Sequence, residues 1–327
     1  MRRFQWTAAA FVLLAAALVS ATPAASPNFP ASIGFPSGWA GEGIFGEQHT
    51  FWAGDTANGA IYKGDVKSGE GAILVPGATG KSAFGVFVDH WNRLWVAGGR
   101  TGLAYVYDAD TGALITILVL APPQPPNPPP PAPPLPTATF LNDVFVTRDA
   151  AFFTNTNSQT APASSILFKV PLGQHGEIGT PTTVPVPFWG GNGIEATPDG
   201  KTLIVVSISQ SKYYNVDAET GATEEIVLDQ PAPRGDGLIL HGHTLYAVLN
   251  LPSSAFPGLT GEISVIKLDD AMTTGQVVDH LNSPDDPLVN PATADLFGKY
   301  IYVVRRTAIG VSPVVRYLTR VDKNGDD

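Results

Sequence analysis

One strand–turn–strand pattern recurs along this chain and limits the folds that are open to it. The copy at Gly191–Ser207 reads GNGIEATPDGKTLIVVS: an apolar step, a tight Pro-Asp-Gly-Lys turn and a β-branched run. Five further copies begin at Gly41, Ala83, Leu141, Gly235 and Pro291. Repeats of about blade length with several short strands each predict an all-β fold, a six-bladed β-propeller whose four-stranded blades surround a central channel.

A second pair of strands is predicted after each copy of the pattern. In Ala104–Leu118 and Tyr213–Leu228 the turn reads Asp-x-x-Thr-Gly, where the Asp oxygen caps the turn and Gly takes a positive φ. The last outer strand is predicted at Val314–Val321. Closure is expected to recruit the segment near Ala31–Phe35 as the missing strand, because this would protect the edges of the sheet.

The N-terminus has the pattern of a secretory signal. Arg2 and Arg3 form a positive end, Ala8–Val19 is apolar, and small residues suited to cleavage follow. The apolar run is short for a membrane span, and an N-terminal anchor is the alternative. We therefore predict a signal peptide over 1–25, a propeller over 26–327, and a protein that is secreted or in the secretory pathway.

The overall composition restricts the partners. The chain has 19 basic and 29 acidic residues, and this net charge of −10 argues against nucleic acid or an anionic membrane as a partner. It has no cysteine, so disulfides contribute nothing to its stability. The expected partner is a small apolar molecule, and no membrane span is predicted.

A proline-rich stretch, 121–136, interrupts the repeats between the second and third blades. Its sequence, APPQPPNPPPPAPPLP, is typical of extended polyproline without internal hydrogen bonds. A stiff surface insertion is the simplest interpretation. A lid over a pocket and a docking site for a partner are the alternatives.

Polar residues occupy one equivalent position near the start of most repeats. Ten residues ahead of the apolar pair in the second strand stand Glu42, Gly85, Asn142, Asp236 and Ala292, and Asn192 takes this place where the turn is two residues longer. Innermost strands begin around the channel, so these positions predict one ring. Two carboxylates and two amides, without Lys or Arg on that ring, favour a hard cation such as Ca²⁺. Polar residues that merely hydrate a channel are the alternative.

Four dipeptides carry a family resemblance: Glu42-Gly43, Asn142-Asp143, Asn192-Gly193 and Asp236-Gly237 stand in the first, third, fourth and fifth blades. In this order they resemble the regucalcin/gluconolactonase family of six-bladed propellers, to which strictosidine synthases and paraoxonases are more distantly similar. The resemblance implies that Glu42, Asn192 and Asp236 bind a divalent metal and that no organic cofactor is needed. It implies Asp236 and Asn142 as catalytic residues, Asp236 as proton acceptor and Asn142 touching substrate or water on the metal. It places Asp143 with the substrate.

The chain departs from that family in the residues around the ring. The family's lactonases usually carry Arg two residues before the third-blade Asn, and here this position is Phe140. Phe188 and Trp189 precede Asn192, and Phe84 is expected on the metal-free side of the ring. Aromatic walls with few polar groups predict a pocket for an apolar, planar ligand. Ordinary packing between blades is the alternative role for each of these rings.

Three functions are compatible with these residues. The chain resembles secreted fungal propellers that include hetero-Diels–Alderases, which join a tropolone quinone methide to a terpene such as humulene. Cyclisation of an apolar intermediate, by positioning and exclusion of water, is therefore the leading hypothesis, favoured by Phe140 and its aromatic neighbours. A metal-dependent lactone or ester hydrolase is the alternative, and a ligand-binding propeller without catalysis is the third.

Overall fold

A computed structural model describes residues 29–122, 139–156, 166–250, 261–281 and 290–305, together with the backbone of 317–322. Throughout these ranges the regular structure consists of β-strands joined by turns, with no helix. The all-β prediction is confirmed. The predicted signal peptide and nearly all of the proline-rich stretch lie outside the described residues. In the described part of the chain, no helix is long and apolar enough to cross a membrane.

The strands pair with their chain neighbours into antiparallel units of four, counted over the described ranges. The first unit contains β2 (Gly41–Glu47), β3 (Thr50–Asp55), β4 (Ile61–Asp65) and β5 (Gly71–Val75). The second contains β6 (Val86–Val88), β7 (Arg93–Ala97), β8 (Leu103–Asp108) and β9 (Leu114–Val119). The third contains β10 (Leu141–Val146), β11 (Ala150–Asn155), β12 (Ile166–Pro171) and β13 (Thr182–Pro185).

The next two units are joined through their outer strands into one eight-stranded sheet. The first of them contains β14 (Gly191–Ala196), β15 (Thr202–Ser207), β16 (Lys212–Asp217) and β17 (Thr223–Leu228). The other contains β18 (Gly235–His241), β19 (Thr244–Leu249), β20 (Glu262–Leu268) and β21 (Thr274–Leu281). The link is a short parallel pairing of β17 with β21, with Val227 opposite Thr274.

The two ends of the chain complete the last sheet together. It contains β22 (Pro291–Phe297), β23 (Tyr300–Arg305), β24 (Tyr317–Asp322) and β1 (Ser32–Gly34). Strand β1 pairs antiparallel with β24, with Ile33 opposite Leu318. The closure predicted from Ala31–Phe35 is therefore confirmed, and the edge of β24 is covered by the N-terminal strand.

The first strands of the units form a cycle. Each of β2, β6, β10, β14, β18 and β22 contacts the next, and β22 contacts β2. Glycine permits this close approach: a Cβ on Gly43 would lie 2.3 Å from the Phe84 carbonyl oxygen, and one on Gly193 would lie 2.4 Å from the Asp236 carbonyl oxygen. Backbone cannot yield cheaply to such overlap, so these two positions require glycine.

Apolar side chains fill the spaces between neighbouring units. Trp95 of the second unit packs in one cluster with Leu141 and Phe153 of the third. Phe51 of the first packs with Tyr302 of the last. Burial of these apolar faces stabilises the fold. Disulfides contribute nothing, because the sequence contains no cysteine.

The predicted turn chemistry is confirmed in the outer hairpins. Asp108 Oδ1 accepts a hydrogen bond from the Thr111 N–H at 2.8 Å, and Gly112 has a φ of 71°. The equivalent Asp217 Oδ1 accepts from the Thr220 N–H at 2.7 Å. These carboxylates hold the turns and lie at the surface, away from the starts of the inner strands.

Candidate functional site

β-Bulges interrupt five of the six inner strands near their starts. In β14, Gly191 pairs with Ser207 but Ile194 pairs with Val205, so the inner strand contains one extra residue between them. A bulge bends the strand and re-aims its side chains, and bulges are over-represented next to active sites. The shifts span Gly41/Ile44, Leu141/Val144, Gly191/Ile194, Gly235/Leu238 and Pro291/Ala294. Glu42, Asn142, Asn192, Asp236 and Ala292 therefore lie within bulges.

Gly85 reaches the equivalent place by a different route. Strand β6 pairs regularly with β7, with Phe87 opposite Trp95 and no shift of register. The hairpin turn is one residue longer than in the first unit, where Phe45 pairs with Trp52. The longer turn compensates for the missing bulge, which is why the ten-residue spacing is retained.

The structure brings the starts of successive inner strands together. The Gly85 N–H donates to the Asn142 carbonyl at 2.7 Å, and the Ile194 N–H donates to Asp143 Oδ2 at 3.3 Å. A Cβ on Gly237 would lie 2.7 Å from the Cα of Thr293. These contacts place the starts of neighbouring inner strands side by side.

The four candidate oxygen donors are deeply buried. Glu42 is 3% exposed, Asn142 5%, Asn192 4% and Asp236 1%. Asp236 Oδ2 accepts a hydrogen bond from Asn250 Nδ2 at 3.3 Å. Asn142 Oδ1 has no hydrogen-bond partner among the described residues, an arrangement that costs about 1–3 kcal/mol unless a ligand supplies a partner.

This donor set suits a hard divalent cation in its chemistry. Carboxylate and amide oxygens are the groups that Ca²⁺ prefers, and Asn142 Oδ1 is an acceptor without a partner in the described ranges. Within those ranges no three His, Cys, Asp or Glu side chains form a metal-binding group. A metal at this position would therefore depend on the amides as well as on Glu42 and Asp236.

Asp143 holds two inner strands together. Its Oδ1 accepts from the Val144 N–H at 2.9 Å, and its Oδ2 accepts from the Ile194 N–H of the next unit. Burial raises the pKa of this carboxyl to about 7, and the nearby Asp236 contributes to the rise. A Cβ on Gly85 would lie 2.3 Å from Asp143 Oδ1, so the carboxyl occupies the space that glycine leaves.

Phe84 and Phe140 form a half-buried aromatic edge beside the ring. Their ring centroids are 4.6 Å apart with the planes at 70°. The Arg100 guanidinium lies 5.5 Å from the centroid of Phe140, within cation–π distance. Arg100 follows Gly99, which is bridged to Leu141. A cationic side chain thus lies beside Phe140. Sequence reasoning missed Arg100 because no spacing relates it to Phe140.

Phe188 and Trp189 have different surroundings. Phe188 is 1% exposed and stacks on Tyr214, with centroids 4.5 Å apart and an 8° interplanar angle, inside the apolar cluster between the third and fourth units. Packing between units is thus its observed environment, which is the alternative role that the sequence left open for this ring. Trp189 is half-buried, and its carbonyl accepts from Ser207 Oγ at 2.6 Å.

A cavity of about 320 Å³ lies between the inner strands. Phe45, Phe87 and Phe145 line one part of it, and Glu195 and Asp295 line another. Burial, together with Asp295 and Asp143, raises the pKa of Glu195 well above its ordinary value, and burial raises the pKa of Asp295 to about 7. Sequence reasoning missed both carboxyls. The available signal was strand register. Glu195 pairs with Ile204 and Asp295 pairs with Tyr302 on the second strand of each unit, and the equivalent position in the first three units is Phe.

Comparisons with known proteins show the fold alone. No family model and no curated protein matches the chain. Among solved structures, a luciferin-regenerating enzyme has a TM-score of 0.58 at 16% identity, covering 88% of this chain and 92% of that one. A calcium-binding regucalcin from Agrobacterium tumefaciens has a TM-score of 0.57 at 14% identity, covering 90% and 96%.

A streptogramin B lyase has a TM-score of 0.56 at 16% identity, covering 88% of this chain and 86% of that one. The comparisons give no support to the expected resemblance to hetero-Diels–Alderases. The chain has a β-propeller fold of the kind shared by regucalcin, luciferin-regenerating enzyme and streptogramin B lyase.

Proposed function

We propose that this protein is a six-bladed propeller enzyme that hydrolyses a lactone or ester with the help of a divalent metal. The observation that carries the proposal is the set of four buried oxygen donors at the bulges, of which Asn142 Oδ1 lacks a protein partner within the described ranges. A buried acceptor without a partner, such as Asn142 Oδ1, lowers the stability of the fold and suits a ligand site. A solved structure of similar fold is described as a calcium-binding protein, regucalcin.

The strand pairing supports the count of six blades. Each inner strand begins one unit of four, and the cyclic contacts of the inner strands include all six. The two-residue parallel link between β17 and β21 joins outer strands only, so we count its eight-stranded sheet as two blades. In this count the pairing of β1 with β24 completes the sixth blade.

Glu42, Asn192 and Asp236 are the residues that would hold the metal, for which Ca²⁺ is the ion that the donor set favours. When bound, a divalent cation would polarise the substrate carbonyl, and the scheme needs no organic cofactor. Asp236, oriented by Asn250, accepts the proton of the water that attacks the carbonyl carbon. The acyl C–O bond breaks, and the leaving oxygen takes up that proton. Asn142 positions the substrate through its amide.

The pocket wall beside the ring recognises the rest of the substrate. Phe84 and Phe140 offer an apolar edge for a ring or chain. Arg100, stacked on Phe140, supplies a positive charge for a carbonyl or carboxylate oxygen. We therefore propose an amphipathic substrate with an apolar body and an oxygen-rich end, rather than a sugar lactone.

Cyclisation is the second candidate, and one observation favours it. The half-buried pair Phe84 and Phe140 could orient an apolar intermediate without any proton transfer. The hydrolase is preferred because it gives a role to the buried donors and to Arg100. In both cases we propose that the enzyme acts in the secretory pathway, as the predicted signal peptide over 1–25 implies.

The proposal is tested by incubating the purified mature protein with aryl and aliphatic lactones and esters, with and without EDTA. We expect hydrolysis that EDTA abolishes and Ca²⁺ restores. Asp236→Asn and Glu42→Gln should each lower kcat/KM at least about 100-fold, whereas Glu224→Gln, on the exposed strand β17, should not. Bound metal without turnover would overturn the hydrolase and direct the search to cyclisation substrates or to binding without catalysis.

A further inference from the structure

We propose that the cavity between the inner strands binds a small organic cation, an ammonium group carried on an apolar or aromatic body. This cavity adjoins the ring of buried oxygen donors through Asp143 and has no part in the proposed hydrolase reaction. The proposal rests on three features of the cavity. These are an arc of aromatic rings, a set of carboxyls, and an exposed end at the hairpin turns, opposite to the end where the ring donors lie.

The aromatic arc occupies three successive strands. The rings of Phe45 and Phe87 have centroids 4.6 Å apart, and those of Phe87 and Phe145 have centroids 4.7 Å apart. All three side chains line the cavity and are partly exposed to it. Aromatic faces attract organic cations, quaternary ammonium groups above all, so the arc itself points to a ligand of this class.

Two carboxyls of the cavity lie on strands that carry none of these rings. Glu195 comes from β14 and Asp295 from β22, and the two are close enough to interact electrostatically. Asp143 from β10 also lines the cavity and also raises the pKa of Glu195. When ionised, these carboxylates attract a cation by full Coulomb interaction, whereas the rings act only through their quadrupoles. A ligand with a cationic head and an apolar body satisfies both parts of the wall at once.

The fixed partners of these carboxyls are backbone N–H groups, and Glu195 accepts from that of Leu240. Asp295 Oδ1 accepts from the Leu296 N–H at 2.6 Å, and Asp295 Oδ2 accepts from the Gly46 N–H. Among the described residues that line the cavity there is no Lys or Arg. Each carboxylate oxygen has more than one acceptor site, so a bound ammonium would add hydrogen bonds without displacing the backbone donors.

The hairpin-turn end is the more exposed end of the inner strands that line the cavity. Along β2 the exposure rises from buried Ile44 to half-buried Phe45 and exposed Glu47, and along β18 it rises from buried Ile239 to exposed His241. The ring donors, at the other end of the same strands, are almost fully buried. A volume of about 320 Å³ lies at the lower end of the range of small-molecule pockets and suits a single-ring ammonium.

Binding should strengthen as the pH rises through 7, because Asp295 ionises. Glu195 and Asp295 face each other and Asp143 of β10. Glu47 of β2 and His241 of β18 lie at the hairpin-turn end.

Isothermal titration of the mature protein with phenethylammonium and with its neutral isostere 2-phenylethanol tests the proposal. At pH 8 we expect the ammonium to bind at least about tenfold more tightly, and this preference to shrink at pH 5. Glu195→Gln and Asp295→Asn should each lower the affinity for the ammonium about tenfold and leave that for 2-phenylethanol unchanged. Phe87→Leu should weaken the binding of both compounds.

Several results would overturn the inference. Equal affinity for the two compounds would show that the carboxyls do not select a cation. Displacement of phenethylammonium by an equal concentration of Ca²⁺ would assign the cavity to an inorganic ion. Thermal unfolding of each variant confirms folding, and Glu224→Gln is the matched surface control. Glu195→Gln and Asp295→Asn should keep full lactone hydrolysis, so failure here is distinguishable from failure of the hydrolase proposal.

Discussion

Replacing Asp295 by Asn should flatten the pH dependence of the protein's stability. Burial raises the pKa of Asp295 from 3.8 to about 7 in the folded state. Between these two values the folded state binds more protons than the unfolded state, so the free energy of unfolding falls as the pH rises. Asn cannot titrate, and the variant therefore lacks this part of the decrease.

The size of the effect follows from the two pKa values. From pH 5 to pH 8 an unfolded Asp is already ionised, whereas the folded Asp295 loses its proton only near pH 7. Linkage gives a loss of stability of about 2–3 kcal/mol over this window, and screening by water in the cavity reduces it to about 2 kcal/mol. An amide in place of the carboxylate also loses one hydrogen bond from a backbone N–H. This loss costs about 1 kcal/mol at every pH, so it does not change the slope.

The assay is urea denaturation of wild type and Asp295→Asn at pH 5, 6.5 and 8, with the difference in unfolding free energy compared between pH values. Asp217→Asn is the control: hydrogen bonds from Thr220 lower the pKa of Asp217, so this group titrates below the window. Its pH slope should match that of the wild type. If Asp295→Asn also keeps the wild-type slope, the carboxyl does not titrate near pH 7 and the reasoning is wrong.

Three further changes test the architecture and the pocket. Gly193→Ala should destabilise the protein by about 3 kcal/mol because its Cβ would meet the Asp236 carbonyl at 2.4 Å. The measurement is thermal unfolding of Gly193→Ala compared with that of Gly34→Ala, where a Cβ meets nothing within 4 Å. Deleting residues up to Gly34 should lower Tm relative to deleting 1–25 alone, because β1 is lost from the last sheet. Arg100→Ala should raise KM for lactones about tenfold with kcat nearly unchanged. Arg100→Lys should have a KM between those of the wild type and Arg100→Ala.

Each of these has an outcome that contradicts it. Equal melting of Gly193→Ala and Gly34→Ala would mean that β14 and β18 can separate without cost. An unchanged Tm after deletion through Gly34 would mean that β1 does not hold β24. A loss of kcat rather than a rise of KM in Arg100→Ala would place the guanidinium at the reacting atoms instead of on the substrate's periphery.

The sequence by itself determined the local structure of this protein. Strands, hairpin turns and the Asp-x-x-Thr-Gly caps depend on residues within a few positions of one another, so their spacing predicts them. The repeat also predicted the pairing of the segment near Ile33 with the C-terminal strand, because a closed ring of repeats leaves one sheet a strand short.

Only the tertiary structure decided which side chains share a space. Phe188 precedes a candidate ligand in the sequence, yet it packs on Tyr214 in the core. Arg100 and Phe140 are distant in the chain and meet because Gly99 is bridged to Leu141. Glu195 and Asp295 share the cavity because their strands hold equivalent places in the cycle. Bulges and register set where a side chain points, and both depend on partners distant in the chain, which spacing alone does not encode.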